Sequence, residues 1–106
     1  MITVNARFLT QSITGVQRYA IEISRELRIL YGDDIVFVAP HGIIQHEYAK
    51  EFGVLTVGKH RGHLWEQWDL PRYLGKHGNP LLLCLCNTAP LYYENKIVTV
   101  HDVAFM

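Results

Sequence analysis

Two short stretches of this chain combine residue types that could act on a ligand. In the first, Thr14-Gly15-Val16 stands at the head of a helical pattern. A helix start has amide N–H groups without partners and a positive partial charge, so it favours anions. Thr14 can cap it, Gly15 removes the side chain that would block a phosphate, and Gln17 and Arg18 place polar groups beside the mouth. The same residues also read as a plain helix cap. In the second stretch, His101-Asp102 directly follows an apolar run of strand length. An imidazole there can donate a hydrogen bond to a substrate hydroxyl or carbonyl, with the acid fixing its tautomer. It can equally be a histidine satisfied by local backbone.

Other candidates carry less. The six histidines show no HExxH or comparable spacing, so no metal ligand set and no cofactor is expected. Cys84 and Cys86 lack CxxC spacing; two apart on one strand they share a face, as reduced core thiols. Trp65, Trp68 and Tyr73 read as a ring-stacking patch for a sugar or a lipid surface, or as ordinary core. Arg7 and Arg18 either face a phosphate or are solvated. No Ser-His-Asp order, carboxylate pair or GxxxxGK[ST] loop is visible.

The elements that must position these residues follow from periodicity. Residues 2–5 read as a β-branched strand. Val16, Tyr19, Ala20, Ile23, Leu27 and Leu30 recur at three- and four-residue steps, giving a helix with one apolar face that ends at Gly32, while Arg18, Glu22, Arg25, Glu26 and Arg28 lie mostly off that face. Residues 35–39 are a continuous apolar run, which implies cover on both faces and parallel pairing. A weaker helix covers 45–52, a third strand 54–57 between Gly53 and Gly58, and a helix 63–74 that Pro71 kinks or breaks. Residues 81–85 and 97–100 complete the strands. This alternation predicts an α/β fold, a Rossmann-like parallel sheet of about five strands with helices on both faces. In such sheets ligands sit beyond the carboxyl ends of the strands, where strand order reverses. That rule selects residues 5–15, 40–42, Asn87 with Thr88, and His101 with Asp102, and it favours Arg7 over Arg18.

Composition bounds the partners. The 106 residues are 49% hydrophobic and 19% charged, as in one globular domain, and ten basic residues balance ten acidic ones. No electrostatic case for nucleic acid arises. The longest apolar stretch, 81–86, is far short of the roughly 20 residues of a membrane span, and the first residues lack signal-peptide character. The expected location is therefore cytoplasmic.

Taken in order, NARFLTQSITGVQRYAIEI, LWEQWDLPRYL, LLLCLCNTAPL and IVTVHDVAFM resemble the N-terminal domain of family-four retaining glycosyltransferases of the GT-B fold. Among these the chain looks most like bacterial mannosyltransferases that build surface polysaccharide or lipopolysaccharide. The likeness spans nearly the whole chain. It implies transfer of a hexose from a nucleotide sugar, with guanosine-diphosphate mannose suggested by likeness, to a saccharide or lipid-linked acceptor, without an obligatory metal. It also implies a peripheral seat at the inner membrane face. Thr14, Gly15 and Val16 would lie near the donor diphosphate, His101 and Asp102 at the reacting sugar, and Arg7, Trp65, Asn87 and Thr88 near the acceptor. The family's nucleotide-binding C-terminal domain has no counterpart in these residues, so the expectation is the acceptor-side half of an incomplete fold, inactive alone. The alternative is a non-catalytic, flavodoxin-like module taking a phosphate or nucleotide at the Gly15 turn.

Overall fold

Strands without in-out alternation must be covered on both faces, and the computed structural model, which describes residues 1–101, arranges them accordingly. β1 (Ile2–Asn5), β2 (Ile35–Ala39), β3 (Leu55–Thr56), β4 (Leu81–Cys84) and β5 (Lys96–Val98) form one parallel sheet in the order β3-β2-β1-β4-β5. Strand order reverses between β1 and β4, where Ile2 pairs with Leu81 and Asn5 with Cys84. The chain is thus an α/β, Rossmann-like fold. Asp102 and residues 103–106 lie outside the described residues.

One face carries Val4, Ile35, Phe37, Ala39 and Leu85, packed under α1 (Gly15–Tyr31) and α2 (His46–Phe52) with Ala20, Ile21 and Phe52. The other carries Val38, Leu82 and Cys84 beneath Trp65, Leu70 and Leu74. Helix α1 is rotated from the face expected. Ala20, Ile21 and Ser24 are its buried residues, and Leu30 is 74% exposed. Arg28, expected off the apolar face, folds over the Phe37 ring at 5.1 Å. It donates to the carbonyls of Gly32 (2.7 Å), Ile35 and Phe52, tying the helix end to the next strand and to α2.

The second face is covered by one helical path, 62–76, made of a short turn α3 (Gly62–Leu64), a π-helical segment (Trp65–Asp69) and α4 (Leu70–Lys76). Pro71 was expected to kink or break it. Instead the helix widens: Leu70 N–H reaches back five residues to Trp65 O, so the turn has slipped register just before the residue that has no N–H to give. The backbone stays helical through Asp69 and Leu70.

Both edge strands differ from expectation. β3 spans only two exposed residues where 54–57 were expected, and β5 spans Lys96–Val98 where 97–100 were expected, with Ile97 56% exposed at the sheet edge. The loop after β3 is held by Asp69, whose carboxylate accepts from the backbone N–H of His60 (2.7 Å) and Lys59 (3.1 Å) and lies 3.0 Å from His60 Nδ1. Burial pushes the Asp69 carboxyl up, but these hydrogen bonds from His60 and Lys59 outweigh it and hold the group below its ordinary value. Gly58 makes the approach possible. At φ +79° a Cβ there would stand 2.6 Å from the Cβ of Asp69. Gly58→Ala is therefore expected to lower stability by about 2 kcal/mol, from left-handed strain and overpacking together, readable as a shifted urea midpoint.

Candidate functional site

Side chains at the carboxyl ends of β1 and β4 meet in a buried polar cluster. Asn5, the last residue of β1, points to the face covered by the 62–76 helix, where Asn5 Nδ2 donates to Glu66 Oε2 at 2.7 Å. Thr88 Oγ1, beyond β4, donates to the same oxygen at 3.1 Å. Arg7 donates through Nη2 to Thr88 Oγ1 at 3.2 Å, and its Nε lies 3.5 Å from Glu66 Oε2. The Arg7 backbone N–H donates to Asn5 Oδ1 at 3.1 Å, which turns the chain out of the strand. Gln67 clamps the opposite wall: its Nε2 donates to Ala89 O, and its Oε1 accepts from Leu91 N–H. The π-helical segment thus places Glu66 and Gln67 against the loop after β4.

The cluster is not self-satisfied. Glu66 is 1% exposed, yet its Oε1 has no hydrogen-bond partner among the described residues, and neither has the buried Nε of Arg7. His63 Nδ1, at 3.9 Å from that oxygen, is too far to bond. A buried acceptor and a buried donor left unpaired within one ion pair are expensive, and such groups are normally paired. Asn5, Arg7, Phe8, Gln11, Glu66, Leu85, Cys86 and Thr88 line a small depression there. The space there is about 10 Å³, room for one water-sized group, and a group that both donates and accepts, a water or a hydroxyl, is complementary to the pair.

The first turn of α1 borders the same rim. Gln17 Oε1 accepts the Thr14 N–H at 3.1 Å, and its Nε2 donates to Gln11 Oε1 at 2.8 Å, so the Gln17 amide lies at the helix start and is engaged by the cap and by Gln11. Beside Gly15 a Cβ would meet nothing within 4 Å, so no neighbouring atom requires glycine there. Tyr19 meets the His101 ring edge-on at 4.6 Å, and the Cys86 thiol lies 3.9 Å from Val16 O. The helix start and the tip of β5 therefore converge on one side of the sheet end.

His101 itself is locally anchored. Its Nε2 is 3.0 Å from the Leu85 carbonyl, which can only accept, so the proton sits on Nε2 and Nδ1 is the unshared atom. Its backbone N–H donates to the side chain of Asn87, which holds a left-handed φ of 69°. The neutral ring can thus accept a hydrogen bond from a ligand, whereas donating one, as the sequence suggested, needs a second proton. Asn87 thus positions His101 through its side-chain oxygen.

Trp65 is not a ligand platform. It is fully buried, with its indole N–H donating to Val57 O at 2.9 Å; of the two tryptophans it is Trp68 that reaches solvent. The two cysteines do not share a face either. The strand ends at Cys84, which stays in the layer under Trp65, whereas Cys86 packs against the layer under α1. Burial raises both thiols, Cys84 to about 12 and Cys86 to about 11, so neither is a thiolate nucleophile near neutrality. Among the described residues no group of three or more His, Cys, Asp or Glu could hold a metal ion, and no helix is long and apolar enough to cross a membrane.

Sequence reasoning included Asn5 in the selected range 5–15 without giving it a role, and it did not single out Glu66. Glu66 gave a usable signal, a carboxylate between two tryptophans in a helix whose neighbours are core residues, but its partners are 61 and 22 residues away. Compared with protein families, curated proteins and solved structures, the chain matches none.

Proposed function

We propose that this crevice is the acceptor side of a retaining hexosyltransferase, receiving the hydroxyl that attacks a nucleotide sugar. The observation that carries the reading is the incompletely paired Glu66–Arg7 couple at the point where strand order reverses. A sugar hydroxyl can donate to Glu66 Oε1 and accept from Arg7, with Thr88 beside it. The resemblance carried by TGVQRYA and the strand-end His101-Asp102 supports the same reading. On it the donor diphosphate approaches Thr14, Gly15 and Val16, and His101 accepts from the transferred sugar through Nδ1. The donor is a nucleotide-linked hexose such as guanosine-diphosphate mannose, and the acceptor a saccharide or lipid-linked saccharide. The work is done in the cytoplasm, at the inner membrane face. A second nucleotide-binding unit has to complete the cleft, because departure of a diphosphate needs its charge neutralised.

The test is hexose transfer from labelled nucleotide sugars by the longest product of the reading frame that contains this chain. His101→Ala and Arg7→Gln are each expected to reduce turnover about a hundredfold, the size associated with one well-placed polar contact. Unchanged turnover in both variants counts decisively against the proposal. The open flank of Gly15 favours one competing reading, a binding module that takes phosphate at the α1 start. Calorimetry separates them: tight nucleotide binding by residues 1–106 alone, lost in Gly15→Val, supports the module.

A further inference from the structure

A cleft of about 550 Å³ opens on the outer side of the molecule, between the loop after β3 and α4, lined by residues that the crevice does not use. Its size falls within the range of small-molecule sites, about 300–1,000 Å³. Lys59, Arg72 and Lys76 line it, and among the described residues none of the three is in an ion pair. The carboxylate in the lining, Asp69, is already engaged by two backbone N–H groups and the His60 ring. The cations therefore face a space whose one negative charge is occupied elsewhere. Trp68, Arg72 and Lys76 follow at four-residue steps, which brings them to one side of the helical path. Trp68 is 56% exposed, and Tyr73, also in the lining, stacks on His77 at 4.1 Å.

The loop wall is built in advance. Gly58 lets the chain pass against Asp69, and Asp69 then fixes the backbone of Lys59 and His60 at the mouth. Three cations around one open cleft suit a compact group with several anionic oxygens better than a single carboxylate. The aromatic wall suits a ring. A long polyanion is disfavoured, because the ten acidic residues of the chain cancel its ten basic ones.

We infer that this cleft is a second binding site, for a small phosphate ester carrying a ring. The phosphoryl oxygens meet Lys59, Arg72 and Lys76, and the ring lies against Trp68 and Tyr73. The site stands on its own lining, independently of what the crevice at β1 and β4 binds.

Isotope-labelled chain is titrated by NMR with inorganic phosphate, glucose 1-phosphate, adenosine monophosphate, and the phosphate-free glucose and adenosine. Vesicles of phosphatidylglycerol and of phosphatidylcholine form a further arm. At least one ester is expected to shift amides of residues 57–60 and 68–76, binding about fivefold or more tighter than inorganic phosphate. Arg72→Gln combined with Lys76→Gln, both at exposed positions, is expected to weaken it about tenfold or more, and Trp68→Ala about fivefold. Five results overturn it: no binding by any soluble phosphate ester, binding to phosphatidylglycerol vesicles alone, which assigns the cations to an anionic lipid surface, shifts confined to other residues, unchanged affinity in the double variant, or a phosphate-free compound binding as tightly as its ester.

Discussion

Trp65→Ala is expected to destabilise the fold by about 4 kcal/mol, the range for truncating a fully buried aromatic side chain. Trp65 is packed with Val38, Leu70, Leu74, Leu82 and Cys84, so its removal opens a void in the middle of one core layer. The indole also holds the Val57 carbonyl at 2.9 Å, immediately before the Gly58 turn. Against a total stability of about 5–15 kcal/mol for a domain of this length, that loss leaves a marginal protein. Trp65→Phe separates the two contributions: it keeps most of the packing and loses the hydrogen bond, for about 1–2 kcal/mol. Urea titration of the three proteins checks this, and a Trp65→Ala midpoint close to wild type contradicts the buried placement.

Glu66→Ala is expected to cost about 3 kcal/mol, because it leaves Asn5 Nδ2 without its acceptor and Arg7 without its counter-charge. Arg7 retains 14% side-chain exposure and can turn partly toward water, which keeps the figure at the lower end for a broken buried pair. A double variant, Glu66→Leu with Arg7→Met, is the sharper measurement. Replacing both partners of a buried ion pair with apolar groups of similar volume is often neutral or better, so its stability is expected within about 1 kcal/mol of wild type. Hydroxyl-ligand binding at the crevice is expected to disappear with it. A stable double variant that still binds removes the cluster from function, whereas a double variant as unstable as Glu66→Ala assigns the pair to folding.

Local patterns carried much of the architecture and less of the site. The apolar runs at 35–39 and 81–85 implied parallel, two-sided strands because such runs leave no face for water, and both lie inside the sheet. At Arg28 the same reasoning went astray: periodicity sees only the end of a long side chain, and three carbonyls within reach drew this one inward. Trp65 and Trp68, three apart, were indistinguishable as rings. Their separation into core and surface depends on the π-helical slip before Pro71.

The chain's own periodicity and its glycine and proline positions determined the α/β alternation and the start and end of the first helix. Those follow from steps of a few residues, over which backbone sterics and the apolar pattern act. Only the tertiary structure decided that Asn5, Arg7, Glu66 and Thr88 share one polar cluster, that His101 spends its Nε2 proton on Leu85, and that Lys59 faces Arg72 and Lys76 across a cleft. Burial and hydrogen-bond satisfaction belong to groups that meet only when strand order and helix rotation are fixed, and neither quantity is written in the spacing of neighbours along the chain.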